Sequence, residues 1–136
     1  MFAEVMEALT GRRFQFEVVV MEGYWRRRMN GTDYPGLLER SGENVTCRLY
    51  FDLPPESIRV LDRFEDPLYQ RKGVTVVSAG RGVVSAQVYL LPKARASLLS
   101  DDVWSEERFG KENLSSYLAM CADFLRSLKD STGVDT

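Results

Sequence analysis

A chain of 136 residues is the size of one domain and is long enough to bury roughly two-thirds of its unfolded surface in a single core. With 44% apolar and 28% charged residues, it is not a disordered, collagen-like or disulfide-scaffold chain. The 18 basic and 20 acidic side chains, net charge -2, leave neither a nucleic-acid footprint nor an acidic solvating tail. Histidine is absent, so His triads, imidazole metal sites and His general bases are excluded, and any proton carrier must be a carboxylate, Lys, Tyr or Cys.

Phe2, Val5, Met6 and Leu9 fall at helical spacing and Gly11 follows, which predicts a short helix over 2–10. Phe14, Phe16, Val18 and Val20 alternate with Gln15, Glu17 and Val19, the period of a strand over 14–20 with Phe16, Val18 and Val20 on its buried face. That strand is expected to end near Gly23. A second extended segment, Tyr24 to Met29, leads into a loop through Asn30-Gly31 and Tyr34-Pro35-Gly36. Val45, Cys47, Leu49 and Phe51 alternate again and predict a strand over 44–51. Pro54 and Pro55 suit a first helical turn, Ile58, Leu61 and Phe64 form one apolar stripe, and Pro67 disfavours helical geometry at Asp66, so the helix should stop near Glu65. Two β-rich runs, 72–78 and 83–91, flank Gly80-Arg81-Gly82 as a hairpin, with Val84, Ala86, Val88 and Leu90 on one face. Leu114, Tyr117, Leu118, Cys121, Phe124, Leu125 and Leu128 follow helical spacing over four turns, 113–128. The elements predict one α+β domain over 1–128, a small mixed β-barrel or curled sheet with flanking helices, and a polar tail over 129–136.

Cys47 and Cys121 lie in apolar patterns and read as two buried thiols of a reducing compartment, not as a metal set or a disulfide framework. No apolar run approaches the roughly 20 residues of a membrane span, and Met1 is not followed by a basic region and an apolar core, so the expected location is cytoplasmic, with no membrane partner. The run Arg26-Arg27-Arg28 could contact an anion, but alternation sends Arg26 and Arg28 one way and Arg27 the other, as on a solvated, salt-bridged strand. No glycine-rich phosphate loop is present and no aromatic stacking pattern accompanies the arginines, so no nucleic-acid partner is expected.

The segment Leu61-Asp62-Arg63-Phe64-Glu65-Asp66-Pro67-Leu68-Tyr69-Gln70-Arg71 places a carboxylate at a helix end among aromatic residues. A helix C-terminus disfavours negative charge, and exclusion of water by Phe64 and Tyr69 would raise the Glu65 pKa further, toward the range of a general base. The same segment, followed by Val74-Thr75-Val76-Val77, resembles a signature of the gamma-glutamylcyclotransferase-like superfamily, especially its gamma-glutamylamine cyclotransferase and avirulence-induced-gene-like branch. Gly23-Tyr24-Trp25-Arg26 with Tyr34-Pro35-Gly36-Leu37, Val88-Tyr89, and Trp104-Ser105-Glu106-Glu107-Arg108-Phe109 with Leu114 and Tyr117-Leu118 resemble further family motifs in the same order.

The resemblance implies a small barrel with outer helices. It also implies an internal reaction in which the α-amine of a gamma-glutamyl group attacks its own γ-carbonyl, releasing 5-oxoproline and an amine. No metal or organic cofactor is implied, since the nucleophile is already tethered. Carried over by position, Glu65 is the general acid/base and Tyr34, Tyr69 and Arg71 are substrate-binding residues. An alternative is a catalytically silent member that binds a small ligand or a protein. Two departures stand out. Asp66 occupies a position usually held by glycine, and the family's opening strand with Tyr-Gly-Thr/Ser-Leu has no counterpart before Met1-Phe2-Ala3-Glu4-Val5. A chain of this extent is expected to leave a sheet edge open to self-association or to a rearranged segment, with weak cyclotransferase activity.

Overall fold

The structure, a computed structural model, describes residues 1–132, and the side chains of residues 1–129. The elements in chain order are α1 (Ala3–Thr10), β1 (Phe16–Arg28), β2 (Pro35–Tyr50), α2 (Pro55–Glu65), β3 (Gln70–Ser78), β4 (Gly82–Leu90), a 3-10 turn (Lys93–Leu98), α3 (Glu106–Glu112) and α4 (Leu114–Thr132). The α+β class holds, but the strands do not form one curled sheet or a closed, mixed barrel. They form two antiparallel pairs, β1 with β2 and β3 with β4. The pairs lie side by side, β1 against β3 and β2 against β4. The Leu91 N–H donates to the Leu37 carbonyl at 3.0 Å, a single link rather than a ladder, and for that reason the barrel stays open.

Local chemistry explains the ends of the elements. Gly11 closes α1 in the left-handed region, φ 74°, and its N–H donates to the Glu7 carbonyl at 2.8 Å. Pro55 opens α2, and Asp66, extended ahead of Pro67, ends it at Glu65. Ser105 caps α3 by accepting from the Arg108 N–H. The α4 helix runs to Thr132, past the 128 expected, and residues 133–136 of the expected tail lie outside the described residues.

The β1–β2 hairpin differs most from the sequence expectation. β1 does not stop at Gly23 but continues to Arg28 through a bulge between Glu22 and Tyr24, where Gly23 takes φ 84°. β2 already starts at Pro35, so Pro35 and Gly36, expected in a loop, are strand, and the strand expected from residue 44 begins nine residues earlier. The buried face of β1 is the opposite of the one expected. Val19 and Met21 are 5% and 3% exposed, while Phe16, Val18 and Val20 are 43%, 61% and 50% exposed. From Val18 to Met21 both faces of the strand are apolar, so alternation cannot choose between them. Register does: Met21 pairs with the buried Val45, and Val19 pairs with Cys47.

Val5, Met6 and Leu9 of α1, Leu61 of α2 and Cys121 of α4 form a buried cluster, with Phe64, Tyr89 and Tyr117 packed at its edge. The Phe64 ring meets Tyr117 and Phe124 edge-on at 6.0 and 5.2 Å, fixing the last turn of α2 against α4. Both cysteines are free, Cys121 buried and Cys47 half-buried. The arginine run is half-buried: Arg26 lies over the Trp104 ring, Arg27 over Trp25, and Arg28 pairs with Asp102. No described helix is long and apolar enough to cross a membrane.

Candidate active site

The end of α2 is where elements distant in sequence meet. Glu65 is the last residue of the helix, and its carbonyl accepts from the Tyr69 N–H at 3.1 Å as the chain turns toward β3. Burial pushes the Glu65 carboxyl up to about 7, opposed only in part by the Met1 α-amine. Among the described residues its carboxylate accepts no hydrogen bond that would hold it ionised. A partly dehydrated carboxyl without a donor partner titrates where a proton carrier is useful at neutral pH.

Around it stand hydroxyls and a thiol. Tyr69 is raised by burial and then by Glu65, and so is Tyr117 of α4. Tyr89 of β4 is raised by burial, by Asp62 and to a smaller extent by Glu65. The Cys121 thiol is pushed up to about 11 by burial and the Glu65 charge. All four therefore lie within electrostatic reach of one carboxylate. The Tyr34 ring meets Tyr117 at 5.3 Å and Phe109 at 6.4 Å, and its hydroxyl donates to the Met120 sulfur at 3.6 Å. The Tyr69 hydroxyl lies 2.8 Å from the Pro35 carbonyl and 3.0 Å from the Met29 sulfur, tying the β3 entry to the start of β2.

The structure thus brings Tyr69 close to Glu65 at the end of α2, with Tyr34 further out, against Tyr117 and Phe109. Arg71 is engaged with the helix itself. Its Nε and Nη2 donate to the two Asp62 carboxylate oxygens at 2.9 and 3.2 Å, and its Nη1 donates to Gln87 at 3.1 Å. Asp62, Asp66, Tyr69, Gln70, Arg71 and Tyr89 line a polar groove of about 430 Å³ on this side of the molecule. Glu65 is not part of its lining; Tyr69 is the wall the groove shares with the site. Among the described residues no group of three or more Cys, Asp or Glu side chains is placed to hold a metal ion.

Sequence reasoning gave no role to Tyr117, Tyr89 or Asp62. Tyr117 carries a weak signal, a polar-tipped ring on the apolar stripe of α4. Asp62 carries another, a carboxylate one turn before Glu65. Neither spacing shows that the two sit at the same helix end.

Comparison with known proteins gives the chain a family and a shared fold. The family described as gamma-glutamyl cyclotransferase, AIG2-like, matches residues 1–106. AIG2-like protein D of Arabidopsis thaliana is 24% identical over 130 residues, covering 92% of this chain and 83% of that protein. Two solution structures of Arabidopsis thaliana proteins share the fold. One has a TM-score of 0.66 at 18% identity, covering 98% of this chain and 81% of the other. The second has a TM-score of 0.65 at 16% identity, covering 96% and 85%. The chain, read first through its Leu61–Arg71 motif, belongs to the AIG2-like gamma-glutamyl cyclotransferase family.

Proposed function

We propose that the protein is a gamma-glutamyl cyclotransferase with Glu65 as its general acid/base. The observation that carries this reading is the carboxyl at the end of α2, raised to about 7 by burial among tyrosines, together with membership of a cyclotransferase family. The substrate is a gamma-glutamyl amine or a related small amide. Its α-amine attacks its γ-carbonyl carbon, forming the ring C–N bond, and Glu65 accepts the proton that the amine loses. The tetrahedral centre then collapses, the bond to the departing nitrogen breaks, and Glu65 returns the proton to that nitrogen. The products are 5-oxoproline and a free amine, and the proton balance closes within one turnover.

In this reading Tyr69, whose hydroxyl is raised in part by the Glu65 charge, and Tyr34, whose ring meets Tyr117, contact the substrate and favour the folded conformer needed for internal attack. Positioning a tethered nucleophile supplies much of the rate in such a reaction, and proton transfer by the carboxylate adds about 10²–10⁴-fold. The test is 5-oxoproline formation from a gamma-glutamyl amine by the protein and by Glu65→Gln. Loss of nearly all turnover in the variant supports the reading. Equal turnover would assign the proton to another group.

A further inference from the structure

We propose that Asp62 is the positioning residue of this site: held by Arg71 and Tyr89, it fixes the last turn of α2 and with it the direction in which Glu65 points. The inference rests on reading Glu65 as the proton carrier, and it assigns Arg71 to the helix instead of to the substrate.

A last helical turn is the part of a helix most prone to fray, since its carbonyls have no partners further along. Glu65 occupies that position in α2, and its side chain has no hydrogen bond of its own to set its direction. What holds the turn lies one turn back. The Asp62 carboxylate receives the Tyr89 hydroxyl at 2.6 Å and the Arg71 Nε at 2.9 Å on one oxygen, and Arg71 Nη2 at 3.2 Å on the other. Arg71 and Tyr89 are directly opposed in the β3–β4 register, so one carboxylate grips both strands together. Gln87, two residues before Tyr89 on β4, accepts from Arg71 Nη1 and fixes the guanidinium plane. The Asp62 backbone carbonyl also accepts the Asp66 N–H at 2.9 Å, closing the helix end.

On the other side of the turn the Phe64 ring is wedged against Tyr117 and Phe124 of α4. Asp62 and Phe64 thus anchor the turn to the β3–β4 pair and to α4, and Glu65 follows both in the chain. Arg71 and Asp62 are more than a third exposed, at 37% and 38%, and an ion pair at that exposure adds little to stability. Three hydrogen bonds on one carboxylate, two of them from a planar guanidinium, give orientation instead. Burial alone would raise the Asp62 carboxyl, but the hydrogen bonds from Tyr89 and Arg71 and the Arg71 charge hold it below the usual carboxylate range, so it stays an acceptor.

The experiment follows the titration of the Glu65 carboxyl by carbon-detected NMR, with Glu65→Gln identifying the signal. The groups facing Glu65 are Tyr69 after α2, Tyr89 of β4, Tyr117 and Cys121 of α4, and the Met1 α-amine. Asp62→Asn and Arg71→Lys leave all of these in place. The expected result is that both lower the Glu65 midpoint from about 7 by about one pH unit or more, as the freed turn lets the carboxylate reach water. They should also reduce kcat more than they change KM. Val45→Ala, a core change on β2 away from the clamp, should lower Tm without moving the midpoint. Folded Asp62→Asn and Arg71→Lys proteins with an unmoved midpoint would overturn the inference, and if Asp62→Asn does not fold, Arg71→Lys decides. A midpoint that moves as expected, in a protein that forms no 5-oxoproline, would remove the cyclotransferase reading and leave the clamp standing.

Discussion

Replacing Glu65 by Gln should stabilise the protein above neutral pH while removing its chemistry, and the size of the gain follows from the burial of the carboxyl. Unfolded, Glu65 titrates at an ordinary 4.5; folded, it titrates at about 7. Between those values the folded state keeps a proton that the unfolded state has released, so stability falls as pH rises through the window, and above pH 7 the whole penalty is present. At about 1.4 kcal/mol for each tenfold, the difference corresponds to about 3 kcal/mol. The glutamine amide is neutral throughout but also meets no hydrogen-bond partner there, and part of the gain is lost to that. Glu65→Gln is therefore expected to be more stable than the parent by about 1–3 kcal/mol at pH 8, roughly 3–10 °C in Tm, and slightly less stable than it near pH 4, where only the cost of the unpartnered amide is left. Urea unfolding of both proteins at a series of pH values measures the difference directly. Glu17, held ionised by the Ser78 hydroxyl and the Ala79 N–H, and Glu39, held by Lys72, contribute with the opposite sign, losing stability as pH falls. They do so equally in both proteins and cancel. A stability difference that does not change with pH would refute the claim that Glu65 is dehydrated.

The rate of 5-oxoproline formation should rise with pH through about 7, because a base must be ionised to accept the amine proton; a flat profile from pH 5 to 9 would exclude Glu65 as that base. Tyr69→Phe removes the 2.8 Å bond to the Pro35 carbonyl and should cost about 0.5–1.5 kcal/mol in thermal or urea unfolding. Gly36→Ala should cost about 1–3 kcal/mol, since a Cβ at that position would lie 2.8 Å from Cδ1 of both Leu91 and Leu99, and an unchanged Tm would show that those side chains move aside freely. Leu61→Ala, at a residue 4% exposed in the helical core, should cost about 2–5 kcal/mol in the same unfolding measurement.

How much of this was legible in the sequence varied with how local the cause was. The helices α1 and α2, the apolar face of α4 and the β3–β4 hairpin were readable because periodicity, Gly11, the Pro54-Pro55 pair and Pro67 act within a few residues. The buried face of β1 was not, because Val18 to Met21 is apolar on both sides and only the partner strand decides which side turns inward. Pro35 and Gly36 read as loop, yet they pair with Arg28 and Arg27 at the start of β2. Closure of the sheet was likewise beyond periodicity, which carries no information on which edges meet.

The site shows the same division. The raised carboxyl of Glu65 was foreseeable to the extent that it comes from burial, since the flanking aromatic residues are local features. The engagement of Arg71 with Asp62 and Gln87 was not, because it depends on the pairing of β3 with β4 against α2. Tyr117 reaches the site from 52 positions further along the chain, carried there by the packing of α4 on Phe64.

The central claim, an internal cyclisation with Glu65 carrying the proton, is tested most directly by the products of a gamma-glutamyl amine incubated with the protein in ¹⁸O-labelled water. Internal attack predicts one 5-oxoproline for each amine released, no ¹⁸O in that product beyond solvent exchange, and almost none of it with Glu65→Gln. Release of ¹⁸O-labelled glutamate in place of 5-oxoproline, or no amine release at all, would contradict it.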